Sequence, residues 1–291
     1  MTEVSRQDFR LIHRLRVRWA EVDLQRIVFN PHYLMYVDTA FTEYWRAMAI
    51  PYELIPQTLG GDLYVKKSTL EYHGSARLDD LLDIGIQCAR VGNSSLLFRA
   101  GIFRNEMLLV SAEMVYVFAD PATQTSRPVP QSLRDLLQSY EAGASPMDIR
   151  VGDWAELGAQ ARALRQQVFV DELAIDHGLA QDSADENAVH ALVCNRMGLP
   201  LATGRLVREG PALARIARVA VTRTMRSTGF GSQVMQALMQ LASARGDTRV
   251  VLQSQCSAEG FYTRLGFMPI GEPYDEAGIP HIDMARQLGS L

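Results

Sequence analysis

The sequence predicts an α+β domain, an antiparallel sheet around one central helix, followed by a mixed α/β domain. Three observations carry this. A length of 291 residues corresponds to about two domains. In the first half, one helical apolar repeat gives way to stretches that alternate every second residue, as antiparallel strands do. The second half runs strand, helix, strand, helix, an order that pairs strands in parallel.

The elements follow in chain order. Arg14 to Glu21 reads as an opening strand. Asn30-Pro31 then starts a helix, Asn suiting the N-cap and Pro the first helical position, which has no intrahelical acceptor for an N–H. Leu34, Val37, Phe41, Tyr44 and Met48 give that helix one apolar face, and Met35, Ala40 and Trp45 widen it. Period-two alternation follows through Leu82–Cys88, Phe98–Ile102 and Leu108–Phe118, broken by turns at Gly92-Asn93 and Arg104-Asn105. His73, at a strand end, reads as facing solvent. After the turn-rich stretch 120–130 comes a short helix, Gln131 to Tyr140. The domains are read as 1–140 and 148–291, with a small, polar linker at 141–147. Beyond it the sequence predicts a helix over 155–170, a hairpin of Val189–Asn195 and Leu201–Arg208, and a strand Leu213–Val221. A helix Ser232–Arg245, a strand Arg249–Gln253 and a helix Ala258–Leu265 complete it.

Composition closes off several classes. Hydrophobic residues make up 47% and charged residues 21%, ordinary for a soluble globular protein. Basic residues number 29 against 33 acidic, a net charge of −4, and neither half is basic, so no large footprint for nucleic acid is expected. No apolar run reaches the ~20 residues of a membrane helix, and residues 1–10 lack a signal-peptide core. Cys88, Cys194 and Cys256 are far apart, without a C-x-x-C pair, and read as small core residues. The expectation is a cytoplasmic protein without a metal.

Two segments carry chemistry. In the first, Asp23 lies just past a strand and seven residues before Asn30. A helix N-terminus offers free N–H groups and partial positive charge, which polarise a carbonyl oxygen. A carboxylate beside it can attack the carbonyl or activate water. A thioester suits such a site because a thiolate leaves easily. The motif Glu21-x-Asp23, then Ile27-Val28, Asn30-Pro31 and Tyr33, resembles the hotdog-fold acyl-CoA thioesterases of the 4-hydroxybenzoyl-CoA thioesterase type over about residues 10–135. The resemblance implies Asp23 as catalytic residue and the amide near Asn30 as oxyanion donor, with Tyr33 beside the substrate; His32 at the helix start reads as an exposed first-turn residue, the alternative being a contact to substrate. It also implies pairing of protomers into a homo-oligomer. Where many members have glycine, this chain has Arg26, which disfavours left-handed backbone. Asp38 and Glu43 read as structural or interface groups.

In the second segment, Arg226-Ser-Thr-Gly229-Phe230-Gly231-Ser232 joins a strand to a helix. Glycines let the backbone approach a phosphate, and the helix presents N–H groups to it. Arg226 adds charge-assisted bonds to a pyrophosphate. The pattern Arg-x-x-Gly-x-Gly, with Phe261-Tyr262-x-x-x-Gly266-Phe267 downstream, resembles the GNAT superfamily of N-acetyltransferases. Residues 165–172, His190 and 274–284 resemble its ElaA/YjcF-like branch, over about 148–288 in all. Acetyl-CoA or CoA is then the implied ligand. Val219 and Val221 would meet the pantetheine arm, and Tyr262 would protonate the departing thiolate. Glu172, His190 and His281 remain open as the base, each also readable as structural. Asp182, Asp185 and Glu186 read as a solvated loop, the alternative being a cluster that attracts a cationic acceptor.

The expectation is a hydrolase of acyl-CoA thioesters fused to an acetyl-CoA-dependent N-acyltransferase, the amine acceptor unspecified. One alternative is a hotdog half that is a silent dimerisation or acyl-CoA-binding module. Another is a second half that binds CoA without transfer.

Overall fold

The computed structural model describes residues 4–175, 181–276 and 278–289. It divides into two compact units, Met1–Pro146 and Met147–Leu291.

In the first unit the described strands are β1 (Leu11–Arg16), β2 (Asp62–Tyr72), β3 (Leu81–Val91), β4 (Ser95–Arg104) and β5 (Met107–Ala119). They form an antiparallel sheet in the order β1-β3-β4-β5-β2. The long helix α1 (Pro31–Ala47) buries Val37, Ala40, Phe41, Tyr44 and Trp45. The Phe41 ring stacks on Tyr116 at 4.2 Å and meets Phe98 edge-on at 5.0 Å, so helix and sheet share one aromatic core. Met35, expected to widen the buried face, is exposed. A short helix α2 (Ile55–Leu59) leads to β2, and α3 (Gln131–Glu141) buries Leu133, Leu136, Leu137 and Tyr140. Glu141 belongs to this unit rather than to a linker: its carboxylate accepts hydrogen bonds from the Tyr44 hydroxyl and from Cys88 N–H.

Two local expectations change. The opening strand stops at Arg16, and Trp19–Glu21 coils into a 3₁₀ turn because the Glu21 carboxylate draws in the Arg18 N–H at 2.7 Å. Asn30 does not cap α1 with its side chain, because it already has helical dihedrals (φ −50°, ψ −36°). The first N–H groups instead bend back in tight turns, His32 to the Phe29 carbonyl and Tyr33 to the Asn30 carbonyl.

The second unit opens with β6 (Met147–Gly152), so residue 147 is strand rather than linker. Helix α4 (Trp154–Arg165) follows, capped by Asp153, and runs on as a π-helical stretch Gln166–Glu172. Then come β7 (Val189–Asn195), β8 (Pro200–Gly210), β9 (Leu213–Val221), α5 (Phe230–Ala244), β10 (Arg249–Gln255), α6 (Glu259–Arg264), β11 (Met268–Glu276) and β12 (Ile279–Gln287). The sheet order is β11-β12-β10-β9-β8-β7-β6. Gly204 on β8 lets α5 come close: a Cβ there would lie 2.8 Å from a Val234 methyl.

β9 and β10 pair in parallel only from Leu213↔Arg249 to Arg215↔Val251. Beyond that the strands separate, while β10 stays paired with β12 as far as Gln255↔His281. At the same level β9 breaks register with β8, and Arg218 takes a left-handed φ of 55°. The sheet therefore forks.

Among the described residues no helix is long and apolar enough to cross a membrane. Cys88 and Cys194 are buried, Cys256 is half-buried, and all three are unpaired.

Candidate functional site

In the first unit Asp23 opens a tight turn. Its Oδ1 accepts the Gln25 N–H at 2.8 Å, its carbonyl accepts the Arg26 N–H at 2.9 Å, and its own N–H donates to Ile27 at 3.0 Å. The turn needs left-handed backbone at its fourth residue, and Arg26 supplies it at φ 62°. The glycine conformation is thus reached without glycine, at a strain of about 1–2 kcal/mol. Val22 and Val28 bridge below the turn, and Phe29 N–H donates to the Glu21 carbonyl, so Asp23 and the start of α1 are held on one short frame. Among the described residues the Asn30 N–H has no protein acceptor.

Glu21 holds that frame. It is buried and accepts from the Arg18 backbone and guanidinium and from the Tyr36 hydroxyl on α1 at 2.7 Å. Burial raises its pKa, but these hydrogen bonds outweigh it and keep the carboxyl below its ordinary value. Tyr33, a candidate for touching substrate, is 2% exposed, and its hydroxyl accepts the Ala76 N–H at 2.9 Å. It anchors the helix. His32 is half-buried beside Phe29, with Nδ1 unpartnered among the described residues. Trp19, Leu24, Phe29 and Met35 are exposed around the loop. His73 is exposed, yet its Nε2 also pairs with the Ser111 hydroxyl at 2.9 Å.

In the second unit the fork opens a cavity of about 1020 Å³. Val219, Val221, Arg226, Gly229, Phe230, Gly231, Ser232, Tyr262 and His281 all line it. Gly229 precedes α5 with φ 92°, which favours glycine, and the first intrahelical bond is Gln233 N–H to the Gly229 carbonyl. The N–H groups of Phe230, Gly231 and Ser232 are therefore left for a ligand. A Cβ on Gly231 would lie 3.2 Å from the Phe261 ring and 3.3 Å from Val221.

Tyr262 is 8% exposed, and burial pushes its hydroxyl up to about 12, so it keeps its proton at neutral pH. His281 donates from Nδ1 to the Ile279 carbonyl at 2.8 Å, which leaves the Nε2 lone pair of the neutral ring available as a base.

The other two base candidates are occupied. Both Glu172 carboxylate oxygens bind the Arg226 guanidinium at 2.7 Å, so the residue read as a base and the residue read as a phosphate ligand form one ion pair. His190 is fully buried outside the cavity lining, with Nε2 on the Asp185 carbonyl and Nδ1 on Arg165. Burial depresses its pKa and keeps it neutral.

In the acidic cluster Glu186 is exposed, as a solvated loop would have it, but Asp182 and Asp185 are tied to arginines. Asp185 is buried between Arg165 and Arg205, each at 2.8 Å. Asp182 takes Arg205 through two nitrogens at 2.6 Å and Arg218 at 3.0 Å. This network grips the left-handed residue of the β9 bulge, and its members stand too far apart in sequence for spacing to reveal them. The contacts of Tyr274, the first residue of the 274–284 motif, were hidden too: it accepts from Gln253, donates to Asp283 at 2.9 Å and stacks on His281.

Residues 25–111 match the profile of the thioesterase superfamily, and residues 155–288 match that of the acetyltransferase (GNAT) domain. The chain is 29% identical to an uncharacterized N-acetyltransferase, YjcF of Bacillus subtilis, over 42% of this chain and 87% of that protein. An acyl-CoA N-acyltransferase structure from Pseudomonas aeruginosa is 30% identical, covering 48% of this chain and 99% of its own, with a TM-score of 0.44. A 1,4-dihydroxy-2-naphthoyl-CoA thioesterase from Synechocystis is 15% identical over 44% of this chain and 94% of its own, with a TM-score of 0.41.

Proposed function

We propose that this chain, which belongs to the GNAT acetyltransferase family through its second half and matches the thioesterase superfamily over residues 25–111 of its first, is bifunctional, hydrolysing acyl-CoA thioesters in one domain and transferring an acyl group from CoA to an amine in the other. One observation supports the transferase reading above the rest: the free N–H groups of α5, the neutral Tyr262 hydroxyl and His281 line a single cavity where the sheet forks. In this reading the amides of Phe230, Gly231 and Ser232 hold the coenzyme diphosphate, and backbone groups of Val219 and Val221 meet the pantetheine arm. The acceptor ammonium gives a proton to His281 Nε2. The neutral nitrogen then attacks the thioester carbonyl carbon, a C–N bond forms as the C–S bond breaks, the leaving thiolate takes the Tyr262 proton, and the nitrogen gives up its remaining extra proton to the tyrosinate to leave the neutral amide.

Support for hydrolysis is the short frame that joins Asp23 to the start of α1, with Arg26 in the backbone conformation the turn requires. The Asn30 N–H receives the carbonyl oxygen. Asp23 either takes the proton of an attacking water, or attacks the carbonyl itself to give a mixed anhydride that water then hydrolyses; either route yields a free acid and a thiol.

We further propose that the first domain pairs with a second copy. The outer edge of β2 is unpaired among the described residues, and Tyr64, Val65 and Tyr72 are exposed on it. A size measurement showing only monomers would contradict this. The unpaired cysteines suit a reducing cytoplasm.

Thiol release by the full chain over an acyl-CoA panel, with and without amines, tests both activities. Asp23→Asn is expected to lower hydrolysis about 100-fold or more and to leave transfer unchanged. Tyr262→Phe is expected to lower transfer about tenfold, the defect fading above about pH 8.5 where the thiolate no longer needs a proton. Hydrolysis that survives Asp23→Asn removes Asp23 from the mechanism.

A further inference from the structure

The transferase reading leaves the acceptor undefined, and the cavity narrows it. His281 lies opposite Gln255 on β10, beyond the last β9–β10 pair, on the far lip of the fork. Its ring is fixed by the Nδ1 hydrogen bond to Ile279 and by the Tyr274 ring, 26° from parallel at 6.3 Å. The Glu276 carboxylate, another part of the cavity wall, stands 4.0 Å from His281 Nε2 and has no other ion-pair partner among the described residues.

Charges elsewhere in the wall are mostly cancelled. Arg215 is paired with Glu209, Arg218 with Asp182 and Arg226 with Glu172. Arg264 has no carboxylate partner among the described residues and is left for coenzyme phosphates. Among the described residues of the lining, the one uncompensated negative charge therefore sits beside the nitrogen that would receive the acceptor's proton. Phe169, Leu173, Ile175 and Ile279 give the cavity apolar wall.

Resting on the transferase reading, we propose that the acceptor is a primary amine that arrives as a monocation on an apolar body, with Glu276 holding its ammonium beside His281. A carboxylate on the acceptor would set like charge against Glu276, and a second ammonium would lose water against an apolar wall.

The test uses the full chain with acetyl-CoA and three probes, 2-phenylethylamine, phenylalanine and spermidine, with the acetylated products measured by mass. Calorimetry follows acetyl-CoA and, on CoA-saturated protein, 2-phenylethylamine. The expected order places 2-phenylethylamine first, with kcat/KM for phenylalanine at least about tenfold lower. Glu276→Gln should raise KM for 2-phenylethylamine about tenfold, narrow its lead over phenylalanine and leave acetyl-CoA affinity unchanged. Glu276→Asp, which keeps the charge, should stay within about threefold of the parent. An unchanged amine KM in Glu276→Gln, or a preference for phenylalanine or spermidine, overturns the proposal. So does acetyl-CoA binding without transfer to, or binding of, 2-phenylethylamine. Failure to bind acetyl-CoA at millimolar levels instead removes the transferase reading on which the proposal rests.

Discussion

Helices α1 and α5 both begin beside candidate chemistry, and they begin differently. At α5 a left-handed glycine delivers the chain, three N–H groups stay free, and they open into a large cavity. At α1 the chain enters through Asn30-Pro31 in helical dihedrals, and the N–H groups of His32 and Tyr33 are spent on tight turns. A wide cradle of amides suits a diphosphate with several oxygens. A single remaining N–H suits one carbonyl oxygen. The number of amides a helix start withholds from its own backbone thus matches the size of the anion it can serve.

The most damaging way to break this contrast is to deny α5 its glycine entry. Gly229 sits at φ 92°, where a side chain is strained, although no neighbour stands within 4 Å of an added Cβ. Gly229→Ala should therefore cost about 1–2 kcal/mol, read as a roughly tenfold weaker CoA affinity, without loss of hydrolysis. Calorimetry on the variant checks it. Equal affinity would mean the amides are not the cradle.

A second contrast concerns what holds each frame. Glu21 does so through Arg18 and Tyr36, Asp182 through Arg205 and Arg218. Hydrogen bonds from Arg205, aided by the charges of Arg205 and Arg218, hold the Asp182 carboxyl down at about 2 against an ordinary 3.8. A depressed pKa gives stability that is present above the unfolded value and lost as pH falls through the folded one. Asp182→Asn should therefore lower stability at neutral pH, and its denaturation midpoint should converge on that of the parent as pH falls from about 4 to 2. Parallel curves would refute the linkage.

The smallest effect belongs to the turn at Asp23. Arg26→Gly relieves left-handed strain but loosens the unfolded chain, so the two terms nearly offset and stability should change by less than about 1 kcal/mol. Denaturant titration measures it, and hydrolysis should stay within about twofold of the parent. A large loss in either would show that the Arg26 side chain has work of its own.

Much of this was legible in the residues. Alternation along 82–118 marks β3, β4 and β5, and β9 runs over the residues expected, because each presents a regular apolar face. Strands β6 and β11 escaped: most of their side chains face out, so no burial imposes a period. Motif spacing led to Gly229, Gly231 and Tyr262, which share one cavity. At His190 and Glu172 it left a base and a structural role open, because a titratable side chain near a motif is as readily tied to an arginine, as both are here, as left free. The Asp182–Arg205–Arg218 grip joins residues up to 36 apart and exists only once the sheet is built.

The clasp between Glu172 and Arg226 has an electrical consequence. With both carboxylate oxygens already on that guanidinium, Arg226 brings little uncompensated charge to the turn that would greet the coenzyme. Arg226 then adds little long-range attraction, so the part of the affinity that varies with ionic strength should come from Arg264 rather than from Arg226.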